Sequence, residues 1–331
     1  MSINKYKYLL LANDISSVGG IQTYLNQFID TIKEKDEIKI IEIKKRNLSI
    51  KFLINTLICI LRTEYLLIGH ITLIFFSLLK FFSSKKIVFV YGVDIFKPRF
   101  FFTITLLKYI KFKRIITCSN YTKDYCIKKL NVKTNIEVIY PYSKFENIYK
   151  NIPSNQINKK IIISSISRLD GYVTRGIWLL LKLYNKHKYQ NIIFNICGKG
   201  NEEEDIKRFI SVNKIENINL LGFVDDLSEI YSNSNIFLYL TDQTGLGCVI
   251  IDGMCYKKPT IVSSSSASIE AFPKDYFFKI KNDNDLEGLE DLLYKINKFN
   301  FDQNLLNMDS FYEKYYKSTI FKKNFLKILN D

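Results

Sequence analysis

Histidine and paired cysteine are scarce in this sequence. Its 331 residues include two His and six Cys, and no two cysteines form a Cys-x-x-Cys pair. Protein zinc sites are built from such pairs and from His, so the sequence does not predict a zinc site. Scattered single cysteines are typical of buried thiols in a reducing compartment.

An export signal and a clear membrane span are also missing. The N-terminal apolar stretch covers only Tyr8–Ala12, and no small-residue cleavage site follows it, so we do not expect export. The most apolar segment, 65–82, approaches the roughly 20 residues that a spanning helix needs. Gly69, His70 and Lys80 interrupt it. We therefore predict a strand followed by a buried helix, with a membrane span as the less favoured alternative.

Acidic residues are outnumbered: 33 Asp and Glu stand against 48 Lys and Arg, which gives a net charge of +15. Such an excess favours an anionic partner: a nucleic acid, a phosphate-bearing small molecule or an acidic membrane surface. The composition, 47% hydrophobic and 24% charged, is that of a globular protein. The length suits two domains of about 150 residues each.

Short apolar runs alternate with helical patterns along the whole chain, which predicts a doubly wound α/β fold that occurs twice. The polar stretch Lys150–Lys160 has no periodicity and contains a proline, so we predict the domain linker there. The predicted strands are Tyr8–Ala12, Ile38–Ile43, Leu66–His70, Ile87–Val90, Ile115–Ser119 and Glu137–Ile139 in the first half, and Ile161–Ile166, Ile192–Cys197, Asn219–Leu221, Ile236–Leu240 and Thr260–Val262 in the second.

The second half carries a series of motifs, each at the end of a predicted strand. In order, they lie within SSISRLDGYVTRGIWLLL, IIFNICGKGNEEEDI, INLLGFVDDLSEIYSNSNIFLYL and TGLGCVIIDGMCYKKPTIVSS. Together they resemble the donor-binding domain of the retaining GT-B glycosyltransferases of family four, the glycosyl transferases group 1. The shared features are an Arg after the first strand, a basic residue before a helix-starting Gly, a Gly-x-Gly, a Leu-Gly-Phe-Val turn and a relative of the Glu-x7-Glu element.

The resemblance implies two Rossmann-like domains that face each other across a cleft. It implies an acceptor-binding domain over 1–155, a nucleotide-sugar donor domain over 156–310, and a C-terminal helix over 311–331 that packs back across the domains. The first half matches more loosely, through GGIQTYL from Gly19, YGVDIFKPR from Tyr91 and ITCSNYTKDYC from Ile116. Many relatives have His where this chain has Tyr91. Tyr91 and Asp94 are the acceptor-side candidates.

Arg168 and Arg175 are the candidate catalytic residues. The leaving diphosphate gains negative charge as the sugar–phosphate bond breaks, and donors aimed at it stabilise the transition state more than the ground state. A guanidinium binds phosphate oxygens bidentately and stays charged, whereas the alternative is a solvated surface pair.

Glycines beside helix starts form the predicted donor-binding backbone. Gly19 and Gly20 open one helix, and Gly245, Leu246 and Gly247 precede another, so the backbone can approach a phosphate or sugar. For the first pair a plain tight turn is the alternative. The resemblance adds Gly198, although Gly198-Lys199-Gly200 lacks the other Walker residues and is not a P-loop.

Asp252, Phe223, Val224 and Thr244 complete the predicted donor site. Asp252 stands in the apolar CVIIDGMC and can accept both ribose hydroxyls. Phe223 and Val224 follow Gly222 at the expected base pocket, or form an ordinary strand-to-turn sequence. Thr244 and Asp252 replace the family's two glutamates. Thr244 cannot carry charge, so the donor sugar differs from the common one or catalysis is weakened. Asp242 and Gln243 lie close enough to substitute.

Two further patterns bear on partners. Asp283-Asn284-Asp285 fits a metal motif of another glycosyltransferase fold, but it precedes a helical run and is predicted to be a helix N-cap cluster. Segment 96–114 interleaves basic and aromatic residues without an acid, which predicts an amphipathic helix on an anionic membrane surface, or else the solvated face of a core helix.

The sequence therefore predicts a cytoplasmic glycosyltransferase, with the inner face of the plasma membrane as a peripheral location. Its substrates would be a nucleotide-sugar donor and a glycan or lipid-linked acceptor. We expect no metal, no cofactor beyond the donor and no nucleic-acid partner, since no such binding motif is found. The alternative is a catalytically degenerate subunit that binds an acceptor and assists an active partner.

Overall fold

The computed structural model describes residues 6–330, apart from 18, 45–48, 81–82, 84, 97, 99, 149–159, 188, 243–244 and 297–300, and apart from the side chains of 301–307. The chain forms two compact units, Met1–Pro141 with Ser318–Asp331, and Tyr142–Lys317. The predicted linker lies outside the described residues except for Lys160. The division falls earlier, because Phe145 packs on Tyr231 and Tyr256 of the second unit.

The first unit is built on a six-stranded parallel sheet of order β2-β1-β3-β4-β5-β6. Two of its strands, Tyr8–Ala12 and Lys86–Val90, are fully buried and apolar except for Lys86, as parallel strands covered by helices should be. The strands are β1 (Tyr8–Ala12), β2 (Ile38–Glu42), β3 (Tyr65–Ile68), β4 (Lys86–Val90), β5 (Arg114–Thr117) and β6 (Ile136–Val138).

Helices connect these strands, and the last helix of the chain also belongs to this unit. They are α1 (Gly20–Lys33), α2 (Ile50–Arg62), a 3₁₀ helix (Ile71–Lys80), α3 (Val93–Phe96), α4 (Phe101–Tyr109), and α5 (Asn120–Asp124), which continues as a π-helical turn (Tyr125–Lys129). The C-terminal helix α12 (Ser318–Asn330) packs on α1, where the Phe321 ring meets Phe28 at a tilt and the Phe325 ring meets it edge-on.

The second unit repeats the architecture with a parallel sheet of order β12-β11-β10-β7-β8-β9. Its strands are β7 (Ile161–Ile166), β8 (Ile192–Cys197), β9 (Ile218–Gly222), β10 (Ile236–Tyr239), β11 (Thr260–Ser263) and β12 (Lys279–Ile280). Its helices are α6 (Arg175–Lys186), α7 (Glu203–Val212), α8 (Ser228–Asn233), α9 (Cys248–Cys255), α10 (Leu286–Ile296) and α11 (Phe301–Tyr315), with 3₁₀ turns at Gly171–Thr174 and Ala267–Ala271.

All eleven predicted strands are present, with ends displaced by at most two residues. The sequence did not predict β12, because two residues are too short for a periodic signal. The described part of the apolar segment 65–82 is a strand followed by a helix, as predicted. The helix is not fully buried as expected, because Phe75, Leu78 and Leu79 are exposed. Among the described residues, no helix is long and apolar enough to cross a membrane.

The predicted single helix over 96–114 is wrong. The segment contains the end of α3, the separate helix α4 and the first residue of β5. Its apolar residues divide between two environments: Ile104, Leu107 and Phe112 are core residues, whereas Phe101 is exposed. Lys97 and Arg99 lie outside the described residues.

Candidate active site

The carboxyl ends of the second sheet bring the predicted donor residues to one edge. Strands β7, β8 and β9 run to one side and β10, β11 and β12 to the other, so the topological switch point lies between β7 and β10. In open parallel sheets, ligands bind in the crevice outside the strand ends at this point. Arg168 follows β7, and Asp242 follows β10.

Arg168 is exposed at the switch point. No hydrogen bond or ion pair joins its guanidinium to another described residue. The backbone of its loop is held against the segment that follows β8: Ser167 N donates to Cys197 O over 3.1 Å, and Leu169 N donates to Lys199 O over 3.0 Å. The arginine therefore projects from a fixed backbone with its charge available to a ligand.

Gly198 allows this close approach. Its φ is +147°, and a Cβ there would lie 1.8 Å from the carbonyl oxygen of Ser167. An L side chain would push the Arg168 loop away, since real contacts are never this short. The predicted donor residue Gly198 thus lies beside the loop that carries Arg168.

Arg175 begins α6 and is held by a buried carboxylate. Its Nη1 lies 3.0 Å from Oδ2 of Asp283, whose side chain is 1% exposed, while the arginine remains 38% exposed. The preceding 3₁₀ turn is fixed by Glu202, whose carboxylate accepts from Gly171 N and from the Trp178 indole. The start of α6 is therefore rigid, and Arg175 has one fixed partner.

Asp283 belongs to a polar network at the ends of β10 and β11. The backbone N–H of Asp242 donates to Asp283 Oδ2 over 3.2 Å. The carboxylate of Asp242 in turn accepts from the hydroxyls of Ser263 and Ser265. These serines orient the Asp242 carboxylate, and a sugar hydroxyl bound there would have to use its remaining acceptor capacity.

The two aspartates of the Asp283-Asn284-Asp285 triplet have different roles. Asp285 accepts from Gly288 N over 3.0 Å at the start of α10, so its predicted N-cap role is confirmed. Asp283 is not part of that cap, because it points to Arg175. Among the described residues, no group of three or more His, Cys, Asp or Glu is arranged to hold a metal ion.

Helix α9 carries the last predicted donor residues. Gly247 precedes it with φ +88°, and a Cβ there would lie 3.0 Å from the Tyr239 ring. Gly245 is half-buried and Leu246 is buried beside it. Thr244 and Gln243 lie outside the described residues, so the expectations about them stay predictions.

Asp252 is half-buried on α9, where burial raises its pKa to about 6. The Ser143 hydroxyl donates to Asp252 Oδ1 over 2.5 Å. A ribose hydroxyl bound by Asp252 would have to use the remaining acceptor capacity of the carboxylate or displace Ser143.

Phe223 and Val224 follow β9 at the same sheet edge. The Phe223 side chain is 49% exposed, and Gly222 before it has φ +67°. Gly198 N donates to Gly222 O over 2.7 Å, which ties this turn to the Gly198 loop. An exposed aromatic ring beside a fixed turn is available to stack on a base.

The first unit has a pocket of about 130 Å³ at its own switch point, between the ends of β1 and β3. Its lining includes Asn13, Asp14, Gln22 and His70. The Thr72 N–H donates to His70 Nδ1 over 3.2 Å, which places the ring proton on Nε2. Burial lowers the pKa of His70 to about 4, so the ring is neutral near pH 7.

Four predicted residues of the first unit do not line this pocket. Gly19 and Gly20 stand at the start of α1, just before Ile21 and Gln22 of the lining. Tyr91 is buried: its hydroxyl donates to Gly69 O over 2.7 Å and its ring stacks on His70. Asp94 is also buried, and it accepts from Tyr91 N over 3.0 Å. His70, by contrast, is among the residues that line the pocket.

Comparison with known proteins gives a family match within the second unit. Residues 147–300 match the family model described as glycosyl transferases group 1. The match covers slightly less than half of the 331 residues. The resemblance inferred from the strand-end motifs is thereby confirmed. A curated relative, an uncharacterized glycosyltransferase of Haemophilus influenzae, is 26% identical over 164 residues, which are 47% of this chain and 43% of the relative. The match therefore spans less than half of that relative.

Solved structures of glycosyltransferases share the fold of the whole chain. Anabaena HepE in complex with UDP and glucose has a TM-score of 0.75 at 13% identity, over 98% of this chain and 100% of HepE. Sucrose-phosphate synthase from Thermosynechococcus elongatus has a TM-score of 0.77 at 12% identity, over 98% of each chain. The lipopolysaccharide outer core galactosyltransferase WaaB has 0.71 at 14%, over 98% of this chain and 99% of WaaB. The predicted GT-B architecture is confirmed.

Proposed function

We propose that the protein is a glycosyltransferase that transfers a sugar from a nucleotide-diphosphate donor to a glycan or lipid-linked acceptor. The observation that carries this proposal is the pair of arginines at the switch point of a group 1 domain: exposed Arg168 and Arg175 at the start of α6. Two positive charges near a helix N-terminus suit a leaving diphosphate.

The donor we propose is a uridine diphosphate sugar. HepE was crystallised with UDP-glucose, which supports UDP as the first nucleotide to test. The transfer would retain the anomeric configuration and proceed without a metal, because the arginines and the helix N-terminus supply the charge that a cation supplies elsewhere. Thr244 in place of an acid would leave room for a substituent on the sugar.

The acceptor and location follow from the basic first unit. An acceptor of bacterial surface polysaccharide or glycoconjugate synthesis fits a protein that works at the inner face of the plasma membrane. The likeness to WaaB, a lipopolysaccharide galactosyltransferase, supports this class. The exposed part of segment 96–114, helix α4, would contact the anionic surface.

The test is a donor screen by thermal unfolding and nucleotide release. A ligand at 100 times its Kd stabilises a protein by about 2.7 kcal/mol, so the correct nucleotide sugar should raise the melting temperature by several degrees. It should also release nucleotide slowly by hydrolysis, with or without EDTA. Binding without release from any donor would favour the degenerate subunit, and restoration only by Mn²⁺ or Mg²⁺ would contradict metal independence. No shift with any nucleotide sugar would overturn the proposal.

A further inference from the structure

Helix α2 carries an apolar stripe that faces away from the core. The helix buries only Thr56 and Ile60. Its exposed apolar side chains recur at the spacing of one helical face, a pattern that normally marks the face turned toward the core. They are Ile50 (78% exposed), Leu53 (41%), Ile54 (51%), Leu57 (36%), Ile58 (37%) and Leu61 (60%).

Two neighbouring helices extend this stripe. The 3₁₀ helix Ile71–Lys80 contacts both α2 and α4. All three bury residues in one core cluster, among them Ile60, Ile74 and Leu107, so their opposite sides form a common outer surface. We call this surface the apolar face; beyond the α2 stripe, it comprises Phe75, Leu78 and Leu79 of the 3₁₀ helix and Phe101, Phe102 and Tyr109 of α4, all exposed.

The apolar face is larger than the apolar patches that soluble monomers normally expose to water. Soluble monomers rarely expose a contiguous apolar patch of more than a few hundred Å². Twelve large side chains on three adjacent helices exceed what scattered surface hydrophobics explain. The face therefore indicates a docking surface.

The sequence segment that contains the apolar face is strongly basic, which indicates an anionic binding partner. Residues 43–123 contain fifteen Lys or Arg and only two acidic residues. Of these two, Glu64 is paired with Lys85 at 2.7 Å, and Asp94 is buried. Lys51, Arg62 and Lys111 are exposed on or beside the three helices. This segment therefore carries almost the whole net charge of the protein.

We propose that the apolar face seats on an anionic lipid bilayer, with α2 lying in the interface as its main inserted element. Exposed aliphatic and aromatic side chains enter the boundary between headgroups and acyl chains, and basic residues at the rim pair with anionic headgroups. The inference extends the membrane contact proposed for α4, and assigns the larger share of the buried apolar surface to a helix outside 96–114. It does not depend on glycosyl transfer.

The test is co-sedimentation of the full chain with vesicles, without donor or acceptor. The vesicles are phosphatidylcholine alone, or phosphatidylcholine with phosphatidylglycerol. The key variant is Ile54→Ser with Leu61→Ser, and its matched control is Val212→Ser with Tyr294→Ser. The control residues are 74% and 65% exposed on the second unit. All four positions are exposed, so folding should be retained, and circular dichroism and the melting temperature check this.

We expect binding to the anionic vesicles that weakens with salt and little binding to phosphatidylcholine alone. Burial of one Leu or Ile is worth about tenfold in partitioning, so the α2 variant should bind on the order of a hundredfold more weakly. The control variant should bind like the wild type. Tryptophan fluorescence gives a positional check. The emission of the Ile54→Trp variant should shift to shorter wavelength when anionic vesicles are added, whereas that of the Tyr294→Trp variant should not.

Three outcomes would overturn the proposal: equal vesicle binding by the α2 and control variants, equal binding to neutral and anionic vesicles, or a dimer in solution that the α2 variant dissociates while vesicles bind neither protein. The last would identify a second copy as the cover. Turnover on a water-soluble acceptor should be unchanged in the α2 variant, so failure of vesicle binding is distinguishable from failure of the proposed activity.

Discussion

Arg168 and Arg175 differ in how the fold constrains them. Arg168 stands on a fixed backbone, and its guanidinium has no hydrogen-bonded partner among the described residues. Arg175 has a buried partner, Asp283, which is anchored by the backbone of Asp242. The Arg168 guanidinium can therefore move as negative charge develops on the leaving diphosphate, whereas Arg175 is already oriented before a ligand binds.

Arg168→Ala should lower kcat about a hundredfold, since the loss of one charged donor to the leaving group costs on the order of 3 kcal/mol. The melting temperature should not change, because the side chain is exposed. Steady-state kinetics on the preferred donor provide the measurement. Arg208→Ala is the control, as Arg208 is 75% exposed on α7 of the same unit. Wild-type turnover in Arg168→Ala would remove Arg168 from the site.

The effects of Arg175→Ala and Asp283→Asn on kcat should not be additive. Asp283 orients Arg175, so either change should lower kcat by a similar factor, and the double variant should be scarcely worse than either single one. A double-mutant cycle on kcat measures this coupling. If the two losses multiply, Asp283 does not act through Arg175.

Asp94→Asn should stabilise the protein at pH 8 and have little effect at pH 4. Burial raises the pKa of Asp94 to about 7 from an ordinary 3.8, and Oδ2 has no hydrogen-bond partner among the described residues. Between those values the folded state keeps a proton that the unfolded state has released, so stability falls as pH rises through this window. The gain at pH 8 should be roughly 1–4 kcal/mol.

Denaturant unfolding at the two pH values checks the Asp94 prediction. Asp205→Asn is the control, because that carboxylate is 62% exposed on α7. An equal gain from Asp94→Asn at both pH values would show that its charge is not the cause.

At the scale of elements, the strand ends of the second sheet are held together by backbone contacts, one of which requires glycine at position 198. The loops after β7, β8 and β9 are joined through Ser167, Gly198 and Gly222. Glu202 then fixes the 3₁₀ turn that leads into α6. The arginines are therefore placed by neighbouring loops rather than by the helices alone.

Gly198→Ala and Gly171→Ala form a matched pair that tests this placement. Both glycines have positive φ, but a Cβ at Gly171 would meet nothing within 4 Å, whereas at Gly198 it would collide with Ser167 O. Gly171→Ala should cost only the backbone strain, about 1–2 kcal/mol. Gly198→Ala should cost more and should also lower kcat. Equal losses of stability, with turnover intact, would contradict the role of Gly198 in the Arg168 loop.

At the scale of the whole molecule, the first unit is formed by two segments that are far apart in the sequence, Met1–Pro141 and Ser318–Asp331. Helix α12 follows the second unit in sequence but packs on α1 of the first. Phe325 is fully buried, and the centroid of its ring lies 4.6 Å from the centroid of the Phe28 ring. The stability of the first unit thus depends on a contact between residues 297 positions apart in the chain, Phe28 and Phe325.

Phe325→Ala should destabilise the first unit by about 3–5 kcal/mol through loss of buried apolar surface and formation of a cavity. Hydrogen exchange should show lower protection in β1 and β3–β5, with β7–β11 unchanged, because the two units have separate cores. Tyr294→Ala, at a position 65% exposed on α10, should leave both regions unchanged. A uniform loss of protection would show that the units unfold together.

The sequence alone determined the architecture and the strand-end positions of the donor residues. Continuous apolar runs specify buried parallel strands whatever their neighbours are, and the motifs after them need only local order along the chain. For that reason the strands, the placement of Arg168 and Gly198 at their ends and the N-cap role of Asp285 could be predicted.

Only the tertiary structure decided which side chains meet. The Arg175–Asp283 pair spans 108 positions, and the Glu202 contacts join loops of different strands, so no local pattern marks them. Tyr91 and Asp94 proved to be buried behind His70, because burial depends on what the fold packs against a strand end. The same limit applies to α2: periodicity gives the apolar stripe of a helix, but only the packing of its neighbours decides that the stripe faces outward.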